Sequence, residues 1–141
     1  MLRIGTQARP EIFARHIVLP EQLPATIVEV AERIAVDGTV LIPLDQDAVR
    51  AQLDALRAQE ITAIAIVLVH GWTHTSHERQ IAELARRSGF TQVSVSHEVA
   101  PLIRYVPRGD TTVVDAYLSP VLSRYVATLR ANLPCHGALS F

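Results

Sequence analysis

The sequence predicts an α/β fold, a layered and mostly parallel sheet with flanking helices and an N-terminal β-hairpin, in one domain over residues 1–141. Three observations predict it. Two apolar-rich runs flank the turn signal Asp37-Gly38, and the run "TAIAIVLV" (62–69) is apolar without alternation. The order hairpin, helix, strand, helix, strand, helix then requires right-handed crossovers between parallel strands. At 141 residues and 49% apolar, the chain suits one full core rather than two.

Each element has a local reason. "TIVEVAERIAV" (26–36) alternates apolar and polar residues, and "TVLIPL" (39–44) does so more weakly, so the pair reads as the hairpin. Asp45 is the expected N-cap of a helix whose apolar stripe is Val49, Leu53 and Leu56. The unalternating run 62–69 is expected to be a central strand covered on both faces. Thr75-Ser76-His77-Glu78 has the T-x-x-E form of a capping box, and Ile81, Leu84 and Ala85 continue the helix until Gly89. "TQVSVS" (91–96) is expected to be a shorter strand nearer an edge. After a loop over 97–109, Asp110 is the expected N-cap of a long last helix, which Pro120 is expected to bend or split at Ser119.

Composition excludes several functions. The net charge is -1, which gives no reason to expect a nucleic acid or an anionic membrane as partner. All thirteen basic residues are arginine, so neither a Schiff-base lysine nor the lysine of a phosphate loop is present. The glycines form no G-x-x-x-x-G-K-[ST] or G-x-G-x-x-G pattern. No run is apolar and long enough to span a membrane, and the first residues lack a secretion signal, so a cytoplasmic protein is expected. A lone cysteine, Cys135, fits a reducing compartment.

His70, His74 and His77 fall within eight residues, but on a strand end, a loop and a first helical turn. That spacing has no helical meaning, so no metal centre is expected from them. His70 is expected to bond at the strand end and His77 to order the turn. Ligands of open α/β sheets bind beyond the carboxyl ends of the strands, where His70 and His97-Glu98 both fall. Arg104 and Arg108 have the planar fork that suits carboxylates and phosphates, although such arginines also pair with acids such as Glu98. Arg108-Gly109-Asp110 is better explained by a helix start than as an adhesion tripeptide.

The segments "IGTQARPEIF", "VEVAERI", "DGTVLIPLD", "LVHGWTHTSHE" and "SHEVAPLIRYVPRGDTTVVDAYLSPVLSRYV" resemble, in order, the N-terminal region of the hydantoinase A / 5-oxoprolinase family. The likeness runs from about Ile4 to Leu133. It implies part of an ATP-dependent cyclic-amide hydrolase with an actin-like ATPase architecture, related to ATP-dependent ketone carboxylases. ATP and magnesium are implied for the longer enzyme, as are a B-type partner subunit and a small cyclic-amide substrate; a homo-oligomer is also compatible. The family's upstream glycine-rich loop has no counterpart, so the chain is expected to be a piece that is inactive alone.

By this resemblance Gln7, Arg9, His97, Glu98, Arg108, Thr111, Thr112 and Asp115 face the active cleft. Glu98, Asp115 and His97 are the expected catalytic groups, with Glu98 or Asp115 coordinating magnesium or orienting water. Gln7, Arg9, Arg108, Thr111 and Thr112 are expected to meet phosphate or substrate. His70, His77 and Glu78 match the family's pattern, whereas His74 does not. Asp115 stands where many members have asparagine. A non-catalytic scaffold or subunit-docking module is the alternative expectation.

Overall fold

The computed structural model describes residues 23–132 together with Phe13. Gln7, Arg9 and Cys135 lie outside the described residues.

The hairpin forms where the turn signal stands. Strands β1 (Arg33–Ile34) and β2 (Val40–Ile42) pair antiparallel, with an irregular register between Arg33 and Ile34. The Ala35 N–H donates to the Thr39 carbonyl at 2.8 Å, and the Thr39 N–H donates to Asp37 Oδ1 at 3.0 Å. Gly38 sits at φ +90°, a conformation that favours glycine. The pairing is shorter than the alternation suggests. Residues before Arg33 run outside the strands, and side chains from elsewhere take up carbonyls along this stretch, as Gln52 does that of Glu29 at 3.1 Å.

Helix α1 (Gln46–Ala58) follows Asp45, whose Oδ1 accepts from the N–H groups of Asp47 and Ala48, both at 3.0 Å. Two of the free N–H groups at the helix start are thereby satisfied. Val49 and Leu53 are buried and Leu56 packs beside them.

Strands β3 (Ala63–Ile66) and β4 (Gln92–Val95) pair in parallel, Ala63 opposite Gln92 and Ile66 opposite Val95. Helix α2 (Ser76–Arg87) makes the crossover between them. Among the described residues β3 has one strand neighbour, so its expected central place is not seen there. The strand also ends at Ile66 rather than Val69, because the peptide groups of 67–69 bond to side chains instead of a ladder.

Alternation along the two strands divides the sheet. Ile64, Ile66, Val93 and Val95 join the core with Val49, Leu53, Ile81, Leu84, Ala85 and Phe90 from α1, α2 and their loops. The intervening residues are Ala63, Ala65, Gln92 and Ser94, and the Ser94 hydroxyl donates to Asp115 Oδ2 of the last helix at 2.6 Å. Small and polar residues on this face let a helix approach closely.

A single helical turn, α3 (Ser96–Val99), stands where a loop was expected. Helix α4 (Tyr105–Asn132) begins five residues before Asp110, which is exposed on its second turn and caps nothing. Pro107 is in the first turn, where a missing N–H leaves no bond unmade. Pro120 lies inside α4, which runs through Ser119 without a break. Of the expected bend or split at Ser119, the split does not occur.

Candidate functional site

Parallel pairing brings the carboxyl ends of β3 and β4 to one edge. The chain leaving β3 forms the turn 67–73, and the chain leaving β4 enters α3 at Ser96. Between the two lies the Glu78 carboxylate, 0% exposed.

Glu78 is in the first turn of α2, but it does not cap that helix. Thr75 makes no side-chain cap bond, so the expected capping box is absent. Oε1 of Glu78 instead accepts the Leu68 N–H at 2.8 Å and the Ser96 hydroxyl at 2.6 Å. Oε2 accepts the backbone N–H of His97 at 3.2 Å and bonds His97 Nδ1 at 2.7 Å. Four donors fill the acceptor sites of a carboxylate, which places a hydrogen on Nδ1. The physical reason for the lost cap is competition, since an interior offers the carboxylate more donors than the helix end does.

His97 Nε2 is buried and has no hydrogen-bond partner among the described residues. The nearest charged group is Glu98 Oε1 at 3.8 Å, on a side chain that is 56% exposed. A buried imidazole is thus fixed at one nitrogen and, among the described residues, unbonded at the other, near a solvated carboxylate.

Gly71 has no side chain because there is no room for one: a Cβ there would collide with the Glu78 carboxylate. Arg108, also 0% exposed, holds the same turn from the other side. Its Nη1 donates to the Leu102 carbonyl at 2.9 Å, and its Nη2 donates to the carbonyls of Leu68 and, at 3.1 Å, Val69. Glu78 and Arg108 therefore grip opposite ends of the residue Leu68. The Tyr105 hydroxyl donates to the Val67 carbonyl at 3.4 Å, and the Arg108 guanidinium lies 5.7 Å from the centre of the Tyr105 ring. Burial holds the Arg108 guanidinium below its ordinary pKa, an effect that Glu78 opposes. Burial likewise raises the Tyr105 phenol.

The three clustered histidines reach one stretch of the hairpin. His70 Nδ1 bonds the Ile34 carbonyl at 2.6 Å, and His74 Nε2 the Val36 carbonyl at 2.9 Å. His77 Nδ1 meets Glu32 Oε2 at 2.7 Å. They contact residues 32, 34 and 36 one by one, and fasten the hairpin to the edge of the sheet. Among the described residues, no three histidine, cysteine or carboxylate side chains stand together as a metal site. An open pocket of about 200 Å³ lies between hairpin, turn and α4, walled by Val36, Val69, His70, Trp72, Ile103 and Tyr105.

Of the residues expected in a cleft, His97 and Glu98 lie at this edge, and Arg108 is buried beneath it. Asp115 is further along α4, where it accepts from Ser94 and, at 3.2 Å, from the Ser119 hydroxyl. Its partners are thus a strand residue of β4 and a residue one turn on in its own helix. Thr111 and Thr112 donate to the carbonyls of Pro107 (2.9 Å) and Arg108 (2.7 Å) in their own helix. Sequence reasoning did not assign Glu78, Ser96 or Tyr105 to the site. One signal for Glu78 was available: the tripeptide Ser-His-Glu occurs twice, at 76–78 and 96–98, each time at the start of a helix. In the first copy both the histidine and the glutamate are buried, whereas in the second the histidine is buried and the glutamate is exposed.

Comparison with known proteins gives consistent matches. The family model described as hydantoinase/oxoprolinase N-terminal region matches residues 1–89. 5-Oxoprolinase 1 of Arabidopsis thaliana is 35% identical over 146 residues, which take in 90% of this chain and 12% of that protein. The caprolactamase subunit alpha of Pseudomonas jessenii is 39% identical over 125 residues, 87% of this chain and 17% of that protein. Among solved structures, the ATP-dependent caprolactamase of Pseudomonas jessenii superposes with a TM-score of 0.72 at 32% identity, covering 92% of this chain and 19% of that one. A nucleotide-free acetone carboxylase gives 0.60 at 25% identity over 72% of this chain and 16% of that one. The chain thus spans less than a quarter of the length of each of these relatives.

Proposed function

The chain belongs to the hydantoinase/oxoprolinase N-terminal region family, and on that premise we propose that it serves as one domain, residues 1–141, of an ATP-dependent cyclic-amide hydrolase. The observation that carries the reading is the His97 imidazole at the carboxyl edge of the parallel strands, anchored at Nδ1 by buried Glu78 and, among the described residues, without a hydrogen-bond partner at Nε2. With the hydrogen on Nδ1, Nε2 carries a lone pair. It accepts a proton from water as the water oxygen bonds the amide carbonyl carbon, and returns that proton to the substrate's ring nitrogen as the C–N bond breaks, while Glu98 orients the water. Glu78 acts through His97 by fixing its tautomer and direction.

ATP is the activating co-substrate in this reading, because relatives of the chain are ATP-dependent enzymes. The described residues do not fit a triphosphate cradle. The terminal nitrogens of Arg108 and the hydroxyl hydrogens of Thr111 and Thr112 are already bonded to backbone carbonyls. In this reading the rest of the longer enzyme supplies the site for ATP and its magnesium. One relative is a subunit alpha, so a partner subunit, of the B type that the resemblance implies, is part of the proposal. No helix among the described residues is long and apolar enough to cross a membrane.

The test places this chain in a full-length caprolactamase in exchange for the matching segment. His97→Asn is expected to lower kcat for ATP-dependent lactam hydrolysis by on the order of 10²-fold or more, with little change in KM. Unchanged turnover would remove His97 from the mechanism and leave the docking-module reading.

A further inference from the structure

The turn leaving β3 takes its shape from side chains. The ladder ends at Ile66, and beyond it α4 holds three successive carbonyls. The Tyr105 hydroxyl donates to that of Val67, and Arg108 Nη2 donates to those of Leu68 and Val69. The Leu68 N–H belongs to the same peptide group as the Val67 carbonyl, and it donates to Glu78 Oε1 at 2.8 Å. Of the four donors that Glu78 has among the described residues, Ser96 and His97 supply three, from the segment that leaves β4. Leu68 supplies the fourth, and so ties the carboxylate to the turn that α4 grips.

We propose that Arg108 is a positioning residue for the His97 imidazole, acting through the Leu68 backbone and the Glu78 carboxylate. Arg108 on α4 and Glu78 on α2 are both fully buried, and both bond Leu68. Without the guanidinium, the Leu68 and Val69 carbonyls lose a buried donor and the turn rotates to find another. The Leu68 N–H then leaves Oε1, the carboxylate turns toward its remaining donors, and His97 Nδ1 loses the bond that selects its tautomer. Charge works in the same direction, because Glu78 opposes the effect of burial on the Arg108 guanidinium. The grip needs a planar fork. Nη1 reaches the Leu102 carbonyl at 2.9 Å while Nη2 reaches the turn, two directions that the single ammonium of a lysine does not span. That this coupling serves catalysis rests on the reading of His97 as the base, whereas the coupling itself rests on the contacts alone.

Long-range nitrogen–proton NMR correlation on the 141-residue chain reads which ring nitrogen of His97 carries the hydrogen, and His97→Asn identifies its signals. The parent is expected to hold the hydrogen on Nδ1. Arg108→Lys is expected to lower the ratio of Nδ1–H to Nε2–H by about tenfold, the worth of one buried hydrogen bond. Asp45→Ala, which removes the cap of α1, is expected to lower stability and leave the ratio unchanged. Tyr105→Phe, which keeps the ring and removes only the donor to Val67, takes the place of Arg108→Lys if that variant fails to fold, with a loss in the same direction expected. A ratio unmoved by the variant used overturns the proposal. So does a parent with its hydrogen on Nε2, or an equal loss in Asp45→Ala. In the caprolactamase exchange, Arg108→Lys is expected to lower kcat by about tenfold with KM kept. A shifted ratio beside unchanged turnover in His97→Asn would refute the base and leave the coupling, whereas an unmoved ratio beside lost turnover in His97→Asn would refute the coupling alone.

Discussion

Replacing Glu78 by alanine is expected to cost on the order of 3–5 kcal/mol, because it strands His97 Nδ1, the Ser96 hydroxyl and the Leu68 N–H in the interior and leaves buried Arg108 without a nearby anion. Glu98→Ala, at an exposed side chain, should stay within about 0.5 kcal/mol. Urea unfolding of both variants distinguishes a buried hub from ordinary surface acids, and equal small losses would refute the hub. The placement of His97 and Glu98 directly after a strand was legible in the sequence, since a polar pair follows the run 91–96. Glu78 was not. Its T-x-x-E context is a local pattern, and a local pattern carries no information about the Leu68 and Ser96 donors that outcompete the helix end. Arg108 was singled out for the right chemistry, a planar fork seeking oxygens, but the oxygens it meets are carbonyls of its own chain. Both misreadings concern the partner and not the residue.

At the scale of elements, two apparent N-caps separate sharply. Asp45 accepts two N–H bonds, and Asp45→Ala is expected to cost about 0.5–2 kcal/mol. Thr75 accepts none, and Thr75→Ala should change stability by no more than about 0.5 kcal/mol. Chemical denaturation of the two variants side by side checks the contrast. Helix α1 and the turn at Gly38 follow from short-range rules and were legible, as was the existence of the parallel pair. The lengths of β1 and β3 were not, because each strand ends where side chains take its carbonyls: His70 and His74 on the hairpin, Tyr105 and Arg108 beyond Ile66. The early start of α4 has the same origin. A helix beginning at Asp110 would leave Arg108 on a loop, whereas one beginning at Tyr105 sets Tyr105, Arg108 and Thr112 on a single face toward the turn after β3.

For the whole molecule, the buried phenol gives a pH dependence with a definite sign. Burial raises the Tyr105 pKa above 10.0 in the folded chain, so the unfolded chain loses its proton first as pH rises. The stability linked to Tyr105 is therefore intact below about pH 10 and is lost as pH climbs through the folded value. Tyr105→Phe is expected to be somewhat less stable at neutral pH, through the lost bond to Val67, yet to show a shallower alkaline decline in thermal unfolding. A decline as steep as the parent's would show that Tyr105 does not govern it. The sequence alone determined the α/β class, the order of elements apart from α3, the cap at Asp45, the turn at Gly38, and the family to which the chain belongs. Tertiary structure alone decided that three histidines fasten a hairpin, that Glu78 orients His97, and that Arg108 and Glu78 hold the same Leu68. The division is physical. Periodicity and turn chemistry act over a few residues, whereas a buried donor or acceptor takes whatever partner the fold brings to it, and here those partners lie up to 45 residues away.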